Sequence, residues 1–140
     1  MAAIRVLGID HVVLRVANLE RSLAFYETAL GCAVERRLDE LGLVQLRAGS
    51  ALIDLVPLDS PLGRAGGGTP IDDARNMDHV ALQIERFEPD ALRAHLGTHG
   101  IEPGDVAARY GARGNGPSMY VRDPDGNSVE LKGPPEETTP

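Results

Sequence analysis

Short runs of alternating apolar and polar residues fill most of this 140-residue chain. Residues 9–16 and 78–84 alternate with period two and are rich in aliphatic side chains, a pattern typical of strands with one buried face. Three further short segments follow each of them, near 33–39, 42–48 and 51–57 in the first half and near 103–110, 117–122 and 127–132 in the second. The pattern therefore predicts four strands in each half.

A helix is predicted between the first and second strands of each half. In the first half, Asn18 is a suitable N-cap and Gly31 a suitable terminator, because glycine readily adopts the left-handed conformation that ends many helices. The apolar residues between them share one helical face: Leu19, Leu23, Tyr26 and Leu30. In the second half, Pro89 favours a first helical turn, and the helix is expected to run to about His99.

The two halves align with each other. The stretch IDHVVLRVANLERSLAFYETALG (9–31) lies over MDHVALQIERFEPDALRAHLGTHG (77–100), which places His11 on His79 at an offset of 79 − 11 = 68. The same order of elements thus occurs twice. We interpret the chain as an α+β protein built from two βαβββ modules.

A second pair of matching stretches carries an acid in each half. VQLRAGSALIDL (44–55) lies over MYVRDPDGNSVEL (119–131), with one extra residue in the second turn, and Asp54 falls on Glu130. The DPDG tetrapeptide is a strong turn sequence that fixes the register of the strand after it. A slip of one residue would move Glu130 to the opposite face of the sheet.

The predicted organisation is a single domain of two repeats. Module one covers about residues 4–57 and module two about residues 77–132. Between them, residues 58–76 contain prolines and a triple glycine, which predict a linker or mobile loop. The tail at 133–140 is expected to be disordered.

Composition and charge argue against several classes of function. Fourteen basic and twenty-one acidic residues give a net charge of 14 − 21 = −7, which disfavours nucleic acids and anionic membranes as partners. No apolar run is long enough to span a bilayer, and no signal-peptide pattern opens the sequence. Cys32 is the single cysteine, so no internal disulfide is expected. We therefore expect a cytoplasmic protein.

Strand alternation groups four potential metal ligands. These side chains are predicted to lie on the strand face opposite the one that packs under the helix: His11, Asp54, His79 and Glu130. Two imidazoles and two carboxylates can enclose one divalent ion if the modules curl around each other, with one or two positions left for water or substrate. Zn, Mn, Ni, Co and Fe(II) all suit this mixture of ligands.

Three other features are given structural interpretations. His95 and His99 stand four residues apart on a helix, but the sequence lacks the glutamate of the HExxH zinc motif, so we interpret them as cations near a helix C-terminus. The glycine-rich run at 65–68 is not followed by the lysine of a phosphate-binding loop. Cys32 follows a helix-ending glycine and is interpreted as structural.

These stretches resemble the vicinal oxygen chelate superfamily, which includes glyoxalase I, bleomycin-resistance proteins and extradiol dioxygenases. The resemblance covers about residues 7–132 and rests on IDHVVLRVANLERSLAFYETALG, MDHVALQI and SMYVRDPDGNSVEL. It implies two βαβββ modules that form a cupped, incomplete β-barrel around a metal, with the helices outside. It also implies a homodimer, and the sequence leaves open whether each site lies within one chain or across two.

The resemblance assigns the metal ligands one by one. The His of each DHV motif corresponds to His11 and His79, and the Glu that ends DPDGxxxEL corresponds to Glu130. The module-one carboxylate corresponds to Asp54, where glyoxalase I has Glu, so direct ligation and ligation through a water both stay open. Glyoxalase I converts a glutathione hemithioacetal into a thioester of lactate, which makes Glu130 the candidate catalytic base.

Substrate-binding residues are implied less completely. Arg15 corresponds to the arginine that contacts glutathione in glyoxalase I, but the asparagine that accompanies it is Leu58 here. Fosfomycin-modifying thiol transferases have a Ser-x-Tyr in the strand before the turn, which Ser118 and Tyr120 match. The glutathione pocket is therefore half recognisable, and a second kind of substrate site is also implied.

The segment at 104–117 is expected either to shape the substrate pocket or to form a polar hairpin loop. Arg109 or Arg113 matches the basic loop residue of the thiol transferases, although the arginine that follows their last strand is missing here. We predict a metal-dependent lyase or isomerase of glyoxalase-like type, whose small substrate chelates the ion through adjacent oxygens. The alternatives are a thiol transferase, a dioxygenase and a non-catalytic antibiotic-binding protein of the same fold; the retained ligand set favours an enzyme.

Overall fold

The computed structural model describes residues 3–69 and 75–136. The chain divides into two compact units, Met1–Thr69 and Pro70–Pro140. In chain order the elements are β1 (His11–Val16), α1 (Leu19–Leu23), a π-helical turn (Ala24–Ala29), β2 (Val34–Leu38), β3 (Leu43–Ala48), β4 (Ala51–Pro57), α2 (Pro61–Ala65), β5 (His79–Gln83), α3 (Pro89–Thr98), β6 (Ala107–Gly111), β7 (Gly114–Arg122) and β8 (Ser128–Lys132). None of the helices in the described part has the length and hydropathy needed to span a bilayer.

Both units have the same sheet topology. In the first, the strand order is β1-β4-β3-β2, with β1 parallel to β4 and the other pairs antiparallel. In the second, the order is β5-β8-β7-β6, again with the first strand parallel to the last. Each sheet is open. The predicted α+β class and the two βαβββ modules are confirmed.

One face of each sheet supplies the core of its unit. Because partnered positions on neighbouring strands share a face, Leu14 lies beside Leu55 in the first sheet and Met119 beside Leu131 in the second. All four are at most 6% exposed. Burying each such side chain stabilises the unit by about 1.5–3 kcal/mol. Because strand residues alternate between faces, the opposite face of each sheet carries the polar residues.

The first helical segment begins and ends as predicted, but it is not a uniform α-helix. The side chain of Asn18 accepts a hydrogen bond of 3.0 Å from the main chain three residues later, and Gly31 has a φ of 79°. After α1, the N–H of Leu30 donates to the carbonyl of Phe25, five residues back. This wider turn buries Phe25 beside Tyr26, with ring centroids 4.8 Å apart, whereas Leu30 is only half-buried.

Part of the predicted linker is helical, which corrects the expectation of unpacked chain at 58–76. Ser60 caps α2, since its Oγ accepts a hydrogen bond of 3.1 Å from the N–H of Gly63. A Cβ at Gly63 would lie 1.9 Å from the carbonyl oxygen of Pro57, so this glycine is needed for close packing. The sequence signal is the Ser-Pro pair, an N-cap followed by the residue favoured at the first helical position. Residues 70–74 lie outside the described part.

Residues 104–117 contain a β-hairpin, and its proposed role in shaping a substrate pocket stays a prediction. Strands β6 and β7 pair continuously from Ala107 with Ser118 to Gly111 with Gly114. The connection is therefore short, and most of the segment belongs to the sheet. Arg109 lies on β6, as the strand predicted near 103–110 implies.

The chain after β8 begins as paired backbone where the sequence predicts a disordered tail. The N–H of Gly133 donates to the carbonyl of Pro117, and the N–H of Glu136 donates to that of Asn115, both at 2.8 Å. These bonds continue the pairing along β7, so main-chain groups that would otherwise be open are satisfied. Residues 137–140 of the expected tail lie outside the described part.

Candidate metal centre

In the first unit, the candidate ligands lie on the sheet face opposite the core. Asp54 on β4 is partnered by Val13 on β1 and by Gln45 on β3. His11 precedes Val13 by two residues and therefore shares its face. Asp54 is only 3% exposed, so the face that parity predicted for it carries a buried carboxylate.

The imidazole of His11 is held by the residue before it. Its Nδ1 lies 2.6 Å from Oδ1 of Asp10. This hydrogen bond, and after it the negative charge of Asp54, raises the pKa of His11. A carboxylate that accepts the Nδ1 proton favours the tautomer whose Nε2 carries a lone pair, which is the usual arrangement around a metal-ligating histidine. Nε2 is therefore the candidate ligand atom.

Asp54 faces a neutral donor. Nε2 of Gln45 lies 3.2 Å from each of the two carboxylate oxygens. No lysine or arginine among the described residues forms an ion pair with Asp54. Buried carboxylates are normally paired with a cation or bound to a metal, so the surroundings of Asp54 suit a bound cation.

The second unit repeats this arrangement. Glu130 on β8 is partnered by Ala81 on β5 and by Tyr120 on β7, and it is 6% exposed. His79, two residues before Ala81, shares its face. Nδ1 of His79 lies 2.7 Å from Oδ2 of Asp78, as in the His11 pair. Each unit thus presents one oriented imidazole and one buried carboxylate.

Tyr120 contacts both candidate ligands of the second unit. Its ring meets the ring of His79 edge-on, with centroids 5.3 Å apart and an interplanar angle of 88°. Burial raises the pKa of Tyr120, and a hydrogen bond to Glu130 raises it further, while the charge of Arg109 opposes the shift. The guanidinium of Arg109 lies over the ring, 4.7 Å from its centroid.

The predicted substrate-binding residues of the second unit divide into two groups. Arg109 donates through Nη1 to Oγ of Ser118 at 2.7 Å and to its carbonyl at 3.1 Å, so Arg109, Ser118 and Tyr120 form one cluster on the face of Glu130. Arg113 is separate from it, in the β6–β7 connection, where it donates to the carbonyl of Gly133 at 3.4 Å. Nothing in the sequence around Arg113 predicts this contact with the main chain of Gly133.

Arg15, the predicted substrate contact of the first unit, is bound to main chain. Its guanidinium donates to the carbonyls of Gly66 at 2.6 Å and Gly67 at 3.2 Å, and also to that of Gly68. Nε is buried and has no hydrogen-bond partner among the described residues. The glycine run therefore supplies acceptors for Arg15, and a Cβ at Gly66 would lie 2.5 Å from the arginine Cδ.

A cavity of about 670 Å³ opens in the second unit. Its lining includes Asp78, Ile101, Glu102, Tyr120, Arg122 and Ser128. Tyr120 and Ser128 also belong to the sheet face that carries Glu130 and His79. The cavity thus shares Tyr120 and Ser128 with that face, and its volume suits a small molecule.

Sequence reasoning missed three residues of the candidate centre: Asp10, Asp78 and Gln45. For the two aspartates a signal existed, because the dipeptide Asp-His occurs in both repeats. Gln45 has no such signal, since its counterpart is Tyr120. Neither unit, within its described residues, groups three or more metal-ligating side chains; each supplies one histidine and one acid.

Comparison with known proteins identifies the family of this chain. The sequence model of the Glyoxalase/Bleomycin resistance protein/Dioxygenase superfamily matches residues 8–131 of this chain. The Bacillus subtilis (strain 168) protein named "Catechol-2,3-dioxygenase" is 28% identical over 88% of this chain and 40% of its own length. The Brassica oleracea var. gemmifera protein named "Putative lactoylglutathione lyase" is 30% identical over 91% of this chain and 45% of its own length. The chain thus spans less than half of these two relatives.

A third relative is matched over most of its length. "Virulence protein STM3117" of Salmonella typhimurium is 32% identical over 88% of this chain and 81% of its own. In a superposition on its crystal structure, the TM-score is 0.66, the identity 25%, and the coverage 96% of this chain and 99% of that one. Fold and sequence therefore point to the same group of proteins.

Proposed function

Because the chain belongs to the glyoxalase/bleomycin resistance protein/dioxygenase superfamily, we propose that it is a metal-dependent enzyme. Its substrate is a small molecule that chelates a divalent ion through two adjacent oxygens. The reaction is glyoxalase-like, a lyase or isomerase reaction on a substrate such as a glutathione hemithioacetal. The name of the Brassica oleracea relative supports this assignment.

The observation that carries the proposal is the repeated pair of an oriented histidine and a buried acid. The proposed ligands are His11, Asp54, His79 and Glu130, donated by both units of one chain or by units of two chains in a homodimer. Two imidazoles and two carboxylates suit Zn, Ni, Co, Mn or Fe(II). The Asp–His pairs at 2.6 and 2.7 Å support it, because they orient each ring for ligation through Nε2.

In the proposed mechanism, the residues of the second unit carry out the proton transfer. When bound, the ion acts as a Lewis acid that stabilises negative charge developing on the substrate oxygens. Glu130 would take the proton from the hemithioacetal carbon, which bears the sulfur and a hydroxyl, and return it to the adjacent carbonyl carbon, so that the first carbon becomes the thioester carbonyl and the second carries the hydroxyl. Arg109 and Ser118 orient the substrate from the adjacent strands. Arg15 is proposed to contact the substrate only after it releases the glycine carbonyls.

Metal analysis of the purified protein tests the proposal first. We expect about one divalent ion per site, and His11→Ala and His79→Ala should bind it at least about 100-fold more weakly. The matched control is the His95→Ala/His99→Ala double variant, since these exposed rings, 5.0 Å apart, lie in the last turn and at the C-cap of helix α3. Parent-like metal content in both ligand variants would overturn the metal proposal.

The reaction is tested separately, with the hemithioacetal of methylglyoxal and glutathione. Protein reconstituted with Ni, Co, Zn or Mn should form the thioester, and Glu130→Gln should abolish turnover even when metal is restored by excess ion. Absence of thioester with every ion would reject the glyoxalase-like assignment but leave the metal proposal standing.

A dioxygenase is the second candidate, favoured by the 28% identity to the Bacillus subtilis relative. Two histidines and one glutamate are the ligand set of many Fe(II) oxygenases. Oxygen uptake by Fe(II)-loaded protein in the presence of catechol distinguishes it from the glyoxalase-like reaction. Size-exclusion chromatography with light scattering tests the homodimer, and cell fractionation the cytoplasmic location.

A further inference from the structure

Each candidate acid faces a neutral hydrogen-bond donor at the same position of the neighbouring strand. Gln45 is the partner of Asp54 in the pairing of β3 with β4, and Tyr120 is the partner of Glu130 in the pairing of β7 with β8. We infer that Gln45 and Tyr120 are positioning residues, which orient the two carboxylates for metal binding. This inference rests on the proposed metal centre.

In the first unit, the amide of Gln45 restricts the carboxylate of Asp54. Nε2 is 3.2 Å from both oxygens, so it lies midway between them and resists rotation of the carboxylate. It also occupies the direction from which an ion would bind both oxygens at once. Asp54 is therefore left to bind an ion through one oxygen, directly or through a water.

In the second unit, Tyr120 acts on two ligands at once. It is the cross-strand partner of Glu130, and its ring packs edge-on against His79 at 5.3 Å. Arg109 on the ring face, 4.7 Å from the centroid, fixes the ring from a third side. Removing the hydroxyl should free Glu130 alone, whereas removing the whole ring should free both Glu130 and His79.

The neutrality of both donors matters for the charge of the site. A lysine or arginine facing the acid would compete with the metal ion, because it would neutralise the carboxylate. Gln45 donates to the carboxylate of Asp54 and Tyr120 places a neutral phenol opposite Glu130, so neither neutralises the acid that it faces. Partners of this kind typically change metal affinity 10- to 100-fold, which separates their role from that of the ligands themselves.

The test measures the affinity for Co²⁺ by competition with a chromophoric chelator, together with the visible spectrum of the bound ion. We expect Gln45→Met and Tyr120→Phe to bind Co²⁺ about 10- to 100-fold more weakly, with Tyr120→Leu weaker than Tyr120→Phe. Matched controls are Gln83→Met and Tyr110→Phe, since both residues are exposed. Far-UV circular dichroism without metal checks that each variant is folded.

Double variants show whether the donors act through the acids. In the Asp54→Asn background, Gln45→Met should cost little further affinity, and in the Glu130→Gln background the same should hold for Tyr120→Phe. Additive losses, or parent-like affinity in the single variants, would overturn the positioning role. Failure of the parent protein to bind Co²⁺ would instead overturn the metal centre itself, so the two failures are distinguishable.

Discussion

The two units share one topology but deliver their acids by different means. In the first, β3 and β4 are joined by a connection of two residues, Gly49 and Ser50. In the second, β7 and β8 are joined by the five residues of Asp123–Asn127. Both connections nevertheless place an acid on the third or fourth position of the next strand, opposite a neutral donor.

The contrast between the two units shows which features the repeat preserves. One unit pairs an aspartate with a glutamine, and the other pairs the longer glutamate with the bulkier tyrosine. Register, burial and the sign of the charge are the same in both, while side-chain size and turn length are not. The repeat therefore maintains positions on a sheet face, which is what metal coordination depends on.

The largest expected effect on the free energy of unfolding distinguishes the two turns. Asp123 is 5% exposed, and its Oδ1 accepts hydrogen bonds from the N–H groups of Asp125 and Asn127 at 2.9 and 2.8 Å. Its Oδ2 accepts from Nδ2 of Asn127 at 2.8 Å. Asp123→Ala should lower the free energy of unfolding by about 2–4 kcal/mol, because these donors lose a charged acceptor.

Ser50→Ala, in the exposed turn of the first unit, is the matched variant and should cost less than about 0.5 kcal/mol. Urea unfolding followed by circular dichroism measures both. Equal losses at the two positions would show that the second turn is no more firmly built than the first.

Sequence alone predicted the strands and the face of each candidate ligand, because strand alternation and the repeat carry that information directly. It also predicted Asn18 as the helix cap, which a single local hydrogen bond satisfies. These features depend on neighbours in the chain. The four metal-ligand assignments stay predictions that metal analysis must test.

Features that depend on distant contacts could not be predicted in this way. The engagement of Arg15 with three glycine carbonyls joins positions 51 to 53 residues apart. The pairing of Gln45 with Asp54 requires the register of two strands, and its counterpart in the other repeat is a different residue type. Similarity between the repeats therefore marks the candidate ligands and the two aspartates before the histidines, but not the strand partners of the acids.

A smaller effect should be the same in both units. Gly49 and Gly126 have φ values of 62° and 80°, a region that costs other residues about 1–2 kcal/mol. Gly49→Ala and Gly126→Ala should each lower the free energy of unfolding by about that amount. Asparagine tolerates this conformation better, so Gly→Asn at either site should cost less. A much larger loss at Gly126 would mean that this turn adds a packing requirement to the backbone one.

The smallest expected effect concerns the residue after each helix-ending glycine, Cys32 in the first unit and Ile101 in the second. Burial raises the pKa of the Cys32 thiol above its ordinary value of 9.0, so the thiolate is disfavoured in the folded protein. At pH 8, a chromogenic disulfide should therefore react much more slowly with native protein than with protein unfolded in urea.

Because the pKa of Cys32 is higher in the folded than in the unfolded protein, its contribution to the free energy of unfolding is present below about pH 9 and declines as the pH rises further. Cys32→Val should remove the part of the decline that is due to this thiol, while the raised pKa of Tyr120 leaves a further part. Fast labelling of the native thiol would show that Cys32 is accessible and unlike the apolar residue at the equivalent position.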